Sequence, residues 1–505
     1  MQAVKKGALN AFFGLLGQLI TIALGIVIPR LVVVSFGSEV NGLLNSITQI
    51  FICFTLFEAG IGVASLQALY VPVAEDDKGR INSIIKATHD FYFKMGIVYS
   101  AAVTILSIAY PIIVDVNLPF WEVVVIIFLG GISNAFNFLY QGKYKILLQA
   151  EGYSYVTTNI TTIINVLING IKVLLLLKGF GVIAVQVSFF LINVLQMIIY
   201  HIYIKRHYDW VDLEVKPDTG AISKKNAALV HQISSLVFNN TDVLLLTFIV
   251  RDLKIVSIYT MYNLVISMVN VLLQQVSTSC DFRLGQMFNT DKDQYLVLHH
   301  IFEILYLILV FTAMTLVYIF ILPFMHLYTA GVDDINYIDR LYPIAFVMVP
   351  LLTYGRTAAS SAINYAGHFE QTKWRAVAEA LINVVVSIFA VWKFGIFGAL
   401  MGTIVASLYR TNDIIIYVYR HLIPGSVMRS YKRWIACFVV FGVFAWLVDI
   451  DNPRFGSYIS IIGYGLLYTV VVFLIYTLVQ AIINPVERRE FVSIITGYYK
   501  KWRGR

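Results

Sequence analysis

The chain has 505 residues, of which 59% are hydrophobic and only 13% charged, with 37 Lys and Arg against 29 Asp and Glu. A soluble globular chain is about a quarter charged, so this composition, with a mean hydropathy of +0.78, excludes a soluble protein and predicts a polytopic integral membrane protein. The net charge of +8 is then a question of which loops carry it, rather than a sign of nucleic-acid binding.

The opening stretch, "MQAVKKGALNAFFGLLGQLITIALGIVIPR", has an apolar segment too long for a cleavable signal and no small-x-small site. It reads as the first spanning helix. Apolar runs of about twenty residues then recur to the end and predict about fourteen spans. These lie at 8–34, 41–71, 92–114, 121–141, 155–177, 180–204, 227–250, 255–280, 295–321, 340–365, 374–392, 397–419, 433–449 and 457–482. Cys53, Cys280 and Cys437 lie apart in or beside apolar segments and form no metal or redox spacing. No phosphate loop or metal motif occurs, so no cofactor or metal is expected.

The segment 205–226, "KRHYDWVDLEVKPDTGAISKKN", is polar and reads as a linker between two six-helix halves. The expected plan is an all-α protein with an N-terminal lobe (1–206), a cytoplasmic linker (207–226), a second lobe (227–420), and helices 13 and 14 with a basic tail (421–505). The halves repeat at an offset of about 216 residues. "AEGYSYVTTNITTIINV" (150–166) aligns with "AGHFEQTKWRAVAEALINV" (366–384), and "KGFGVIAVQV" (178–187) with "KFGIFGALMG" (393–402). Six helices return the chain to its starting side, so the repeats are parallel. Secondary transporters are often built this way, with the substrate site at the repeat interface.

With the N-terminus placed in the cytoplasm, most cations fall in cytoplasmic segments, including Lys78, Arg80, Lys224, Lys225, Arg429, Lys432, Arg433 and the tail from Arg488 onward. Lys178, Arg251, Lys254, Arg340, Lys393 and Arg454 remain for the outer loops. This bias places both termini in the cytoplasm.

Five cations lie within spans: Arg30, Lys94, Lys172, Arg356 and Arg410. At about 2.5–3.5 kcal/mol each at the bilayer centre, they are expected to face acids or a wet cavity. Glu58, Asp242, Glu303, Glu379 and Asp413 are the acids within or near spans. Arg410 and Asp413, three apart, can pair on one helix. Arg356, in "PLLTYGRTAASSAINYAG", has small neighbours and no acid within four residues. A substrate anion or an acid on another helix must meet it. Pro29 is expected to kink the first span and aim Arg30 inward, with snorkelling as the alternative. Lys172 and Lys94 read as cavity cations or as side chains that snorkel. Lys143 and Lys145, just past span 4, read as interfacial. Glu58, in "FTLFEAGIG", sits mid-span, and three readings stay open: a protonated carboxyl, a partner for Arg30 or Arg356, or a site for a coupling proton or sodium ion. Asp242, in "FNNTDVLLL", lies in a polar cluster suited to a cavity or to a hydrogen-bond network.

"GSEVNGLLNSITQIF" (37–51), "FEAGIGVA" (57–64), "LLQAEGY" (147–153) and "INYAGHF" (363–369), with the six-plus-six-plus-two plan, resemble the prokaryotic Wzx-type polysaccharide flippases of the MOP exporter superfamily. That superfamily also includes the MurJ-type lipid II flippases and the MATE exporters. The resemblance implies a MATE-like fold with two lobes around a central cationic cavity in the cytoplasmic membrane. It implies a cargo of undecaprenyl-pyrophosphate-linked oligosaccharide, moved to the outer leaflet by alternating access, with other polysaccharide-assembly proteins as partners. Arg30, Arg356 and Glu58 are the cavity charges carried over by position. A lipid II flippase, a MATE-like cation antiporter, a non-transporting scaffold and a membrane glycan polymerase are the alternatives; short loops disfavour the last.

Overall fold

The structure, a computed structural model, describes residues 2–58, 60–222, 226–448 and 455–503. Lys224, Lys225 and Arg454 of the loop-charge pattern lie outside the described residues. The chain folds as two compact units, Met1–Ser257 and Ile258–Arg505, and the described residues form helices and turns without strands.

In the first unit the helices are α1 (Gln2–Phe54), α2 (Ile61–Ala74), α3 (Lys78–Ile113), α4 (Phe120–Phe136), α5 (Gly142–Ala150), α6 (Ser154–Leu177), α7 (Val182–His207) and α8 (Asn226–Leu245). A helix α9 (Leu253–Thr290) carries the chain into the second unit. There follow α10 (Lys292–Tyr328), α11 (Tyr342–Gly355), α12 (Thr357–Tyr365), α13 (Phe369–Phe394), α14 (Ile396–His421), α15 (Val427–Leu447), α16 (Tyr458–Ile483) and α17 (Pro485–Arg503).

Eleven described helical stretches are long and apolar enough to cross a membrane, against about fourteen expected. The differences have local causes. The helix runs on through Pro29, and the non-helical backbone falls at Gly37 (φ 83°, ψ 171°), where the first two expected spans meet. The second of these is then broken by a 3₁₀ turn at Thr55–Glu58 and by Gly60 in the left-handed region (φ 81°). The span expected at 340–365 is split at Arg356 into α11 and α12. α14 is intact but carries Arg410, Asn412 and Asp413. Among the rest, α4 runs into α5 through a π turn at Asn137–Gln141, and α8 extends through another at Leu246–Val250.

Polar side chains tie the first unit together where lipid offers no partner. Ser46 Oγ accepts from Tyr110 (2.9 Å) and Thr247 (2.9 Å), and Thr88 donates to Ser65 (2.8 Å). Asn41 donates to Ser257 (2.8 Å), and Gly42 lies so close to the Leu253 carbonyl that a Cβ would come within 1.8 Å of it. These contacts place α8 and the start of α9 with the first unit. The linker is also held there. Tyr208 donates to Glu151 (2.5 Å), Asn82 to the Trp210 carbonyl (3.3 Å), and the Asp218 amide to the Ser83 carbonyl (3.0 Å).

In the second unit α13 and α14 pack as a tight hairpin. The small-xxx-small pair Gly398 and Gly402 lets the two backbones meet. A Cβ on Gly398 would lie 2.2 Å from the Ala390 carbonyl, and one on Gly402 would lie 1.9 Å from Ser387 Oγ. Asn383 donates to Thr403 across this seam (2.8 Å). α15, α16 and α17 pack on α10. They are joined by Arg433, fully buried on α15, which ion-pairs with Glu303 of α10 and Glu487 of α17 and donates to Asn484 (2.8 Å). Ser430 (2.5 Å) and Tyr419 (3.0 Å) also donate to Glu303. Arg433 was expected among loop cations; the structure buries it in the second unit. The three cysteines are free, and Cys437 is buried against Gln480 (3.1 Å).

Candidate functional site

A cavity of about 660 Å³ opens inside the first unit. Its walls come from α1 (Leu44, Thr48, Phe51, Thr55), α4 (Gly130, Ser133, Asn134), α6 (Thr161, Lys172) and α7 (Gln186, Asn193, Gln196). Glu58, Tyr99, Asn137, Phe138, Gln141 and Lys145 also line it, with apolar side chains such as Ile126 and Val185 between them.

The breaks in the helices build this site. The 3₁₀ turn ends span 2 early, and Gly60 turns the chain so that Glu58 is held at the interruption. Tyr92 hydrogen-bonds Glu58, and Asn137 donates to it weakly (3.5 Å). Asn137 opens the π turn, and its side-chain Oδ1 accepts from Lys145 Nζ (2.8 Å). A π turn adds one residue to the helical repeat and so rotates everything after it by roughly 100° relative to an uninterrupted helix. Lys145, expected at the interface, therefore stands on the continuous stretch Phe120–Ala150 and lines the cavity. Lys143, also expected at the interface, is instead buried beside Tyr140 and Tyr144 and donates to His89 Nδ1 (3.0 Å). Gly142 permits the packing behind them, since a Cβ there would meet the Tyr92 ring at 2.4 Å.

The other expected site residues divide between the units. Lys172 is half-buried and faces the cavity. Arg30 is half-buried on α1 and is not among the residues that line the cavity. Lys94 is exposed on α3 among exposed Phe93, Ile97 and Val98. Asp242 is buried on α8, outside the cavity lining.

Arg356, Arg410 and Asp413 come together in the second unit. Arg356 donates to Glu379 of α13 (2.6 Å), so an acid on another helix meets it. Glu379 also faces Arg410 Nε (3.4 Å), and Arg410 donates to Asp413 (2.8 Å), the local pair expected from their spacing. Arg375 also ion-pairs with Asp413. By the repeat offset of about 216 residues, Arg356 corresponds to Tyr140 in the π turn of the first unit. The stretches at that offset are both interrupted, by the π turn Asn137–Gln141 and at Arg356. In the first unit an amide-lined cavity adjoins the interruption; in the second an ion-pair network does.

Chemically, the cavity offers carboxamides and hydroxyls that both donate and accept, aromatic faces at Phe51, Tyr99 and Phe138 and, among the described residues, two ammonium groups and one carboxylate. Such a surface suits a ligand with many hydroxyls and negative charge.

No family model and no curated protein matches the chain. Solved structures do. An inward-facing multidrug-resistance MATE transporter of the MOP superfamily matches with a TM-score of 0.63 at 14% identity, over 83% of this chain and 96% of that one. The lipid II flippase MurJ in an inward closed conformation matches with a TM-score of 0.56 at 16% identity, over 95% of this chain and all of that one. A MOP superfamily transporter from Pyrococcus furiosus, described as having a binding pocket of reverse polarity, matches with a TM-score of 0.51 at 15% identity, over 82% of this chain and 95% of that one. The chain has the fold of MATE and MurJ transporters.

Proposed function

We propose that this chain is a flippase that moves an undecaprenyl-pyrophosphate-linked oligosaccharide from the inner to the outer leaflet of a prokaryotic cytoplasmic membrane. The observation that carries this reading is the polar cavity inside the first unit, with Lys145 and Lys172 in an amide and hydroxyl lining. The shared fold with a lipid II flippase over 95% of this chain supports it.

Stranding sugar hydroxyls and phosphates in hydrocarbon costs several kcal/mol per group. A hydrated cavity removes most of that cost while the polyprenyl tail stays in lipid. The ammonium groups hold phosphate through charge-assisted hydrogen bonds, the carboxamides exchange hydrogen bonds with hydroxyls, and the cavity opens alternately to each face. A cation antiporter fits less well, because among the described residues two lysines face the cavity against one carboxylate, Glu58. Glu58, beside Asn137 and Lys145, is the group placed to take up a coupling ion.

The test is a depletion strain whose lipid extract is analysed by mass spectrometry. Accumulation of a polyprenyl diphosphate glycan, with loss of surface polysaccharide, is the expected result. Unchanged lipid-linked pools together with intact surface glycan would remove the reading.

A further inference from the structure

A cation buried among spanning helices needs an acid, an acceptor or water. The other buried cations described above have their partners within the protein. Arg356 and Arg410 share Glu379, Arg433 holds Glu303 and Glu487, Lys145 donates to Asn137 beside Glu58, and Lys143 donates to His89. Lys172 differs. It lines the cavity and, among the described residues, makes no ion pair or hydrogen bond to the protein.

Its position along the cavity is informative. Leu176 near the end of α6 packs with Val185 near the start of α7, so Lys172 lies at the end of the cavity where α7 begins. Thr161 lies at the other end, about 16 Å away along α6 at 1.5 Å per residue. Lys145 belongs to that other end. It is on the same continuous stretch as Ile126 but near its far terminus, level with Glu58 at the end of the α1 wall. Between the two ammonium groups the described polar lining is uncharged, with Asn134, Gln186 and Asn193.

We infer that the glycan this protein carries is acidic. A sugar with an anionic substituent pairs with Lys172, the diphosphate lies by Lys145, and the amides between meet neutral hydroxyls. This rests on the flippase reading above and adds a specificity-determining residue and a class of sugar to it. The shared chemistry is an anion on the sugar, supplied by a uronate carboxylate or by a phosphate ester.

The experiment uses the full-length protein in proteoliposomes and four fluorescent undecaprenyl diphosphate disaccharides. Their terminal sugars are a neutral hexose, a uronic acid, the amide of that uronic acid and a hexose phosphate. The expected result is that the uronate or the phosphate ester crosses roughly ten- to a hundredfold faster than the amide, the range of one hydrogen bond to a charged group. The faster of the two identifies the anion. Lys172→Gln should bring the uronate-to-amide and phosphate-to-amide ratios within about twofold of one, and Lys172→Arg should keep the wild-type preference. Equal movement of charged and neutral sugars by the wild type overturns the inference and leaves the flippase reading standing, as does an undiminished preference in Lys172→Gln. Failure of the folded wild type to move any of the four overturns both.

Discussion

Replacing Arg433 by Met tests whether the last three helices are held to α10 by buried charge. Arg433 is fully buried, and its guanidinium answers Glu303, Glu487 and Asn484 at once. Met fills a similar volume but leaves two carboxylates facing each other, with only Ser430 and Tyr419 donating to Glu303 and Arg429 3.8 Å from Glu487. Breaking a buried pair by removing one partner costs about 3–5 kcal/mol. The second unit unfolds with an entropy near 0.5 kcal/mol/K if it behaves as roughly 250 residues at the usual per-residue value. The transition should therefore drop by about 6–10 °C. Thermal unfolding of purified protein in detergent, followed by tryptophan fluorescence, reads this directly. The triple variant Arg433→Met, Glu303→Gln, Glu487→Gln should recover most of the loss, because a neutral set no longer strands charge. A single-variant shift below about 2 °C, or a triple variant as unstable as the single one, would refute the reasoning.

Gly402→Val should lower the unfolding temperature and the folded yield, since its Cβ would fall 1.9 Å from Ser387 Oγ and overpacking costs about 1–3 kcal/mol; a normal melt would show that the α13–α14 seam can open. Glu379→Gln should destabilise by about 3–5 kcal/mol by removing the acid shared by Arg356 and Arg410, and adding Arg356→Gln should return part of it. Additive losses in that double-mutant cycle would show that the two side chains are not coupled. Lys145→Gln should slow cargo movement at least about tenfold, the worth of a charge-assisted hydrogen bond, with the unfolding temperature within about 2 °C of wild type. Full transport by that variant would remove Lys145 from the site.

Much of the fold was legible because the bilayer imposes a length and a composition on each span. Runs such as 155–177 and 457–482 coincide closely with α6 (Ser154–Leu177) and α16 (Tyr458–Ile483). The Arg410–Asp413 pair was legible for the same kind of reason, since helical spacing puts residues three apart on one face. The interruptions were harder. A π turn has no composition of its own, so hydropathy ended span 4 at 141 and left Lys143 and Lys145 outside, while the helix continues to Ala150. Arg433 stands near Arg429 and Lys432, a cluster that reads as a loop; only the packing of α10, α15 and α17 reveals its two acids. Arg356 has its partner Glu379 23 residues away, on a different helix, and no periodicity within one helix could have supplied it.

The most direct test of the account is where the polar head of the cargo sits. A lipid-linked glycan with a photoreactive group on its sugar, irradiated with the reconstituted protein and followed by peptide mass spectrometry, reports this. Adducts are expected on the cavity walls of the first unit, in peptides from α1, α4, α6 and α7, suppressed by excess unlabelled cargo. Adducts confined to the second unit, or no adduct that excess cargo suppresses, would contradict a cargo site in that cavity.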